Sequence, residues 1–383
     1  MIYIHVPYCR SFCTYCDFYS EVASKCSTYE GYAKALSSEI VARKCEIENN
    51  IQSPSGVNTL YIGGGTPSVL PLSVFESMLS SLKSVGCNAE FEEFTVEVNP
   101  EDIVEKGHIY VEGLLKLGVN RISMGVQSFD DGTLKWMNRR HNSARAKKAY
   151  AILEEAGVKN ISIDLIFGLP QLSLDGWKDN LAKALSISPS GLLPSHISSY
   201  QLSVEEGSAL ASLMAKGKWS EASDEVCALQ YETLCQTLRE AGYHHYEISN
   251  FAQPGYEARH NSAYWTHTPY IGLGPGAHSY IPDNRKWNNP DLLAYIEAGK
   301  SGDFSHVQGG EDLTGEQLDL ERLMLGLRTS NGLPCDFLET FCSKEMIRQT
   351  IAEGYLKLLE NGYLRIPEEY FFISDSIIAN LSY

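Results

Sequence analysis

The chain has 383 residues, with 48 Asp and Glu against 31 Lys and Arg, a formal net charge of −17. That balance argues against a nucleic-acid partner, because neutralising phosphates requires clustered Lys and Arg; the basic runs are confined to 139–141 and 145–148, and a solvated helix face explains the second. No run approaches the roughly 18 uninterrupted apolar residues of a membrane span, and the first residues, MIYIHVPYC, lack the basic start and long apolar stretch of a signal peptide. A cytoplasmic protein is expected, of two or three domains at roughly 100 to 200 residues each.

In chain order, short β-rich runs recur: YIHV at 3–6, TLYIGG at 59–64, FTVEV at 94–98, RISMGV at 121–126, ISIDLIFG at 161–168 and HISSYQL at 196–202. Between them lie stretches of helical periodicity at 29–49, 71–85, 109–117, 142–156 and 174–187. Strand and helix alternate, which predicts parallel βαβ units. Gly118 and Gly157 stand just before strands, as helix stop signals do. An open doubly wound sheet and a partial barrel both satisfy this pattern, and both gather ligands at the carboxyl ends of their strands. The polar and glycine-rich motifs do follow the strands: a cysteine loop after the first, GGGTPS after the second, EVNP and GVQSF at the ends of the third and fourth, and Asp164 within the fifth.

After about residue 205 the pattern changes. A helix at 223–241 leads into stretches rich in aromatics, His and Gly, read as an extension over the barrel mouth. The last segment is expected to hold helices near 314–328 and 343–361 and two short strands, GYLRI and EYFFIS, a small winged-helix-like unit. The acidic balance favours a structural or partner-binding role for it over DNA binding.

The motif CRSFCTYC places Cys9, Cys13 and Cys16 within eight residues. Three thiols do not close as disulfides and fall one short of a four-thiolate metal site. A four-iron, four-sulfur (4Fe-4S) cluster held by three thiolates leaves one iron free to coordinate a small molecule. The competing readings are three unrelated buried cysteines and a zinc site completed by a distant His; the local spacing supplies no fourth zinc ligand. The other cysteines, Cys26, Cys45, Cys87, Cys227, Cys235, Cys335 and Cys342, are scattered and read as small core or surface residues; a reducing compartment keeps such thiols unpaired. GGGTP, Gly63 to Pro67, one βα unit downstream, offers bare backbone for the close approach of a ligand.

The spacing C-x3-C-x2-C resembles the signature of the radical S-adenosylmethionine (SAM) superfamily, in which the open iron chelates the amino and carboxylate groups of SAM. The resemblance narrows further. YIHVPYCRSFCTYCDF, YIGGGTPS, EVNP, RISMGVQSF, NRRH, DLIFGLP, RHNSAYW and GPGAHSY, spread over residues 3 to 280, are together similar to the family of oxygen-independent coproporphyrinogen III oxidases and HemW-type heme chaperones. The oxidases carry a fourth cysteine where this chain has Phe18, and a long N-terminal arm where this chain opens with the first strand. HNSAYW fits the H-N-x-x-Y-W motif typical of the chaperones and associated with heme binding, with His260 the implied ligand; His5, His141 and His278 have no comparable context.

The resemblance implies a partial (β/α)6 TIM-like barrel of radical SAM type over 1–205, an α+β extension over its mouth at 206–310, and the winged-helix-like domain at 311–383. It implies cluster ligation by Cys9, Cys13 and Cys16. It also implies SAM contacts from Tyr3, Gly64, Gly65, Thr66, Glu97, Gln127, Arg139 and Asp164, with Ser203 near the adenine. The cofactors implied are a 4Fe-4S cluster, SAM and heme. The partners are heme, heme-acceptor proteins and a cellular electron donor, with peripheral contact with membrane proteins left open and no membrane span. Heme delivery is the expected function, and oxidative decarboxylation of coproporphyrinogen III the alternative; a scaffold kept only for docking is a third reading. Whether SAM is cleaved stays open.

Overall fold

The computed structural model describes residues 1–22, 27–51, 57–87 and 90–381; Cys26 lies outside them. All six expected strands form: β1 (Ile2–Val6), β2 (Thr59–Gly64), β3 (Glu93–Val98), β4 (Arg121–Gln127), β5 (Asn160–Phe167) and β6 (His196–Gln201). They pair in parallel, each with its neighbour in sequence. A doubly wound sheet reverses its strand order at a switch point, and this one does not. Every crossover therefore runs the same way, and the sheet curves into an open barrel.

The crossover helices include α1 (Ser27–Ala42), α2 (Leu72–Ser84), α3 (Pro100–Lys116), α4 (Ser143–Glu155) and α5 (Leu174–Leu185). Period-two alternation divides the strands between two environments. Ile2, Ile4, Leu60, Ile62, Phe94, Val96, Ile122, Met124, Ile161 and Ile163 are buried in one apolar core. Their alternates form rows across the other face: Tyr3, Tyr61, Thr95 and Arg121 in one row, and Glu97, Ser123, Ser162 and His196 in the next. The lumen is polar and the outside of the barrel apolar.

Helix α3 begins nine residues before the expected 109. Asn99 caps it by accepting from the Glu101 N–H, Pro100 opens its first turn, and Gly107, at φ 66°, interrupts the periodicity that marks the remainder.

The segment after β6 widens the sheet at both edges. At one edge β7 (His244–Glu247) and β8 (Asn250–Ala252) add antiparallel strands beside β6; at the other, β9 (Ile271–Leu273) pairs in parallel with β1. A separate sheet holds β10 (His278–Ile281), β11 (Asn284–Asn288) and β12 (Gln308–Asp312). In the last segment, helices Gly315–Gly326 and Lys344–Ala352 flank a three-stranded sheet of Leu333–Pro334, Tyr363–Arg365 and Lys357–Leu358, the winged-helix order of elements. EYFFIS is not a strand: Glu368–Ile373 form a 3-10 turn. Pro367 precedes it with a fixed φ and no N–H, and Phe371 is fully buried.

Strand β9 is fastened through one buried carboxylate. Glu39 of α1 is 0% exposed and accepts from Gly274 N–H at 2.9 Å, Tyr295 Oη at 2.6 Å, Asn288 Nδ2 at 2.8 Å and Arg43 Nη1 at 3.2 Å. Removing it leaves the buried Gly274 N–H and Tyr295 hydroxyl without their acceptor and takes one of two carboxylates from the buried Arg43, which keeps Glu46. Glu39→Ala is expected to cost about 3–5 kcal/mol, read as a lowered urea midpoint; a midpoint within error of the parent would refute this role.

Candidate cofactor site at the carboxyl ends of the strands

The cysteine loop leaves β1 at its carboxyl end. Backbone and side chains pin it from several sides: Thr14 N–H donates to Met137 O at 3.2 Å, Asn138 Nδ2 to Phe12 O at 2.7 Å, and Leu210 N–H to Thr14 O at 2.9 Å. Cys9, Cys13 and Cys16 are free thiols of intermediate exposure. Burial, with repulsion from Cys13 and Cys9 added, pushes the Cys16 thiol up to about 12; replacing its proton with a metal relieves that penalty. Among the described residues, no three His, Cys, Asp or Glu side chains converge as ligands of a single ion would. Three thiols of one loop, near enough for their charges to interact, suit a cluster that takes each on a different iron. Phe18 is 65% exposed, so no side chain closes the set from that position.

The glycines of the next loop answer first to their own chain. A Cβ on Gly65 would come within 2.7 Å of Tyr8 O, and one on Gly64, at φ 104°, within 2.6 Å of the His5 ring. The N–H groups of Gly64, Gly65 and Thr66 are taken by Glu97, Val6 O and Tyr8 O. The segment thus presents acceptors, not donors, which is what an ammonium group needs. Cys9 Sγ lies 3.3 Å from Thr66 Oγ1, joining the two loops.

Glu97 and Asp164 face the lumen, half-buried. Glu97 accepts from Tyr61 Oη at 2.7 Å and Gly64 N–H at 3.1 Å; Asp164 accepts from Ser123 Oγ at 3.1 Å. Burial lifts the Glu97 carboxyl from its usual 4.5 to about 7, with repulsion from Asp164 added, against the Tyr61 and Gly64 hydrogen bonds. Burial also raises Asp164, against Arg121 and the serine hydroxyls. Arg139 donates from Nη2 to Gly125 O at 2.6 Å and lies 3.5 Å from Cys13 Sγ, while its buried Nε has no partner. Gln127 ends β4 at φ 66°, where the β4–β5 register shifts. For a side chain other than glycine this backbone is strained, and such outliers gather at binding sites. Tyr3 Oη meets His5 Nδ1 at 3.0 Å, and Ser203 is exposed with its hydroxyl on Glu205 at 2.6 Å.

Arg121 was not singled out in the sequence. It is 1% exposed, and neither Nε nor Nη1 has a hydrogen-bond partner; the neighbouring Thr95 Oγ1 is also unpartnered. Its signal was available in RISMGV, an Arg opening an otherwise apolar parallel strand.

His260 stands elsewhere. Its helix, α6 (Arg259–Tyr264), lies under the amino ends of the strands, not over the mouth expected for its segment. Glu93, the first residue of β3, accepts from the N–H groups of Arg259 at 2.8 Å and His260 at 2.9 Å, a carboxylate at a helix N-terminus. The imidazole is 1% exposed, with Nδ1 2.8 Å from Thr59 Oγ1 and Nε2 3.0 Å from Tyr264 Oη. In this arrangement both ring nitrogens are occupied, so the implied heme ligand is closed to heme.

Comparison with known proteins fixes the family. Residues 3–184 match the Radical SAM superfamily. The heme chaperone HemW of Synechocystis sp. is 34% identical over 342 residues, covering 86% of this chain and 78% of the relative. That of Lactococcus lactis is 33% identical over 369 residues, covering 95% and 92%. The chain belongs to the HemW family of radical SAM proteins.

Membership in the HemW family implies a 4Fe-4S cluster and SAM, and the residues just described suit both. The structure of coproporphyrinogen III oxidase (HemN) from Escherichia coli superimposes with a TM-score of 0.79 over 100% of this chain and 89% of that one, at 21% identity, and so shares the fold. No helix among the described residues is long and apolar enough to cross a membrane.

Because Glu97 binds its proton more tightly in the folded chain than in the unfolded one, its contribution to stability falls as pH rises from 4.5 to about 7. Glu247, also lifted to about 7 by burial, adds a slope of the same sign. The buried histidines His141, His245 and His260, held low by burial, contribute a slope of the opposite sign, so Glu97→Gln in the cofactor-free protein is expected to make the change of Tm with rising pH across this interval more positive than in the parent. An unchanged slope would place the titration on other groups.

Proposed function

We propose that this chain is a heme chaperone, which carries heme alongside a SAM-ligated 4Fe-4S cluster and hands the heme to acceptor proteins in the cytoplasm. The observation that carries the reading is the identity of about one third with curated heme chaperones, sustained over 86% and 95% of the chain.

In this reading Cys9, Cys13 and Cys16 would hold three irons of the cluster, leaving the fourth open to SAM. A reduced cluster of this type supplies an electron to the SAM sulfonium, and an external electron donor must provide it. The carbonyl-presenting segment Gly64–Gly65–Thr66 meets the ammonium group. Glu97 ionises to receive it, so binding weakens as pH falls below about 7. Arg139, whose Nη1 lies beside Cys13 and whose Nε is without a partner, fixes the carboxylate. Asp164 and Gln127 hold the ribose, Tyr3 closes the methionine end, and the backbone at Ser203 meets the adenine. The functional units are the barrel at 1–205, the segment 206–310 that widens its sheet, and the winged-helix-like unit at 311–383. Decarboxylation of coproporphyrinogen III draws only on the fold shared with the E. coli oxidase.

Anaerobic reconstitution tests the proposal. The parent chain is expected to show cluster absorbance, bind heme with a new Soret band, transfer it to an apo-cytochrome and produce no protoporphyrinogen from coproporphyrinogen III. Cys13→Ala is expected to lose the cluster absorbance while the chain stays folded. A parent chain that takes up no heme, or that turns over coproporphyrinogen III, overturns the chaperone reading.

A further inference from the structure

A heme iron takes an imidazole whose nitrogen is unprotonated, reachable and not already bonded. The chain has ten histidines, and hydrogen bonding sorts them. His5, His196 and His260 are buried with both ring nitrogens engaged. His141 and His245 are buried as well, the first against Val126 O and the second stacked on Phe251 at 4.0 Å. His108, His244 and His267 are held by Glu155, Glu257 and Glu321 at 2.9 to 3.2 Å. His306 lies in the short turn Ser305–Val307 and stacks on no ring among the described residues. His278 is exposed, neither of its nitrogens has a hydrogen-bond partner among the described residues, and its ring stacks on Trp287 at 6.0 Å and 29°.

The surroundings of His278 are those of a flat, partly apolar platform. Register places His278 opposite Trp287 and Trp287 opposite Gly309, with Tyr280, Arg285 and Glu311 in the next row of the same face. The opposite face is committed to the barrel: Ser279 accepts from Arg43 at 3.0 Å, and Lys286 reaches Glu46 at 2.6 Å. A Cβ on Gly309 would come within 2.4 Å of the indole, so the glycine is what lets Trp287 lie flat against the sheet. Burial, and then Arg285, hold His278 below the usual imidazole range, neutral as a metal ligand must be. Arg285, on the rim of the same face, is already paired with Glu321 and, at 3.6 Å, with Glu311, so the ligand's carboxylates are left to solvent.

We propose that His278 is the axial ligand that receives heme, with the iron porphyrin against the face formed by His278, Trp287 and Tyr280. The proposal rests on the heme reading above and gives it a site distinct from His260. Trp287 is a positioning residue, keeping the imidazole from turning.

The test is an anaerobic heme titration of the full chain, read by absorbance and by electron paramagnetic resonance, for the parent, His278→Ala, Trp287→Ala and His260→Gln. The parent and His260→Gln are expected to give the same imidazole-ligated spectrum. His278→Ala should lose that spectrum, bind roughly tenfold more weakly or worse, and regain it on addition of free imidazole; Trp287→Ala should weaken binding less. His278 is exposed, so its removal leaves the fold intact. A parent-like spectrum and affinity in His278→Ala overturn the site and leave the heme reading standing. Failure of the parent itself to bind heme overturns both.

Discussion

Two carboxylates and a guanidinium share the lumen, and among the described residues none of the three is paired with another. The period-two alternation of a parallel strand forces this crowding. With the outward set given over to Ile, Leu, Val and Phe under the helices, every charged side chain on β3, β4 and β5 that faces the other way meets its counterparts inside. Taking such groups out of water costs several kcal/mol each unless hydrogen bonds replace the lost hydration. Glu97 and Asp164 are compensated in part, by Tyr61, Gly64 and Ser123; Arg121 and Thr95 are not. The lumen is therefore preorganised for a polar occupant, at a cost in stability that the apolar outer layer offsets.

The barrel is closed by fasteners of the same chemistry used in the opposite sense. Glu93 at the floor and Glu39 at the edge are almost fully buried, yet both are saturated with donors from distant segments. Each ties residues from beyond position 250 back to the first hundred, so the widened sheet depends on two carboxylates more than on its own short strands. Strand β9, three residues long, would hold little without Glu39.

The strands and the cysteine loop were legible because their signals are local: alternation over five to eight residues in one case, spacing over eight in the other. Placement of the H-N-x-x-Y-W helix was not, because a carboxylate 166 residues away fixes it. A motif rich in His and aromatics looks the same in sequence whether it lines a mouth or seals a floor, and only the partners of its nitrogens tell which. The glycines of GGGTP lie next to the cysteine loop, but their bareness serves contact with His5, Val6 and Tyr8. EYFFIS has strand composition, but Pro367 and the burial of Phe371 decide it as a turn. Arg121 was readable as an oddity; the lack of hydrogen-bond partners at its Nε and Nη1 was not, since that depends on what β3 and β5 place opposite.

The segment that carries His278 is not independent of the cluster loop. Gly276, two residues before it, packs on the Tyr19 ring; a Cβ there would come within 3.3 Å of Tyr19. Tyr19 in turn takes His5 Nε2 on its carbonyl at 2.8 Å and receives the Leu292 N–H on its hydroxyl at 2.7 Å. His5 completes the connection to Tyr3 and to the back of Gly64. One tyrosine three residues beyond Cys16 thus touches the turn before His278, the strand under the GGGTP segment and the helix that follows β11. Binding that stiffens the loop at either end changes the cost of binding at the other, and the coupling is reciprocal by linkage. If heme rests at His278 as proposed, Tyr19 and His5 would be the physical link between it and the cysteine loop.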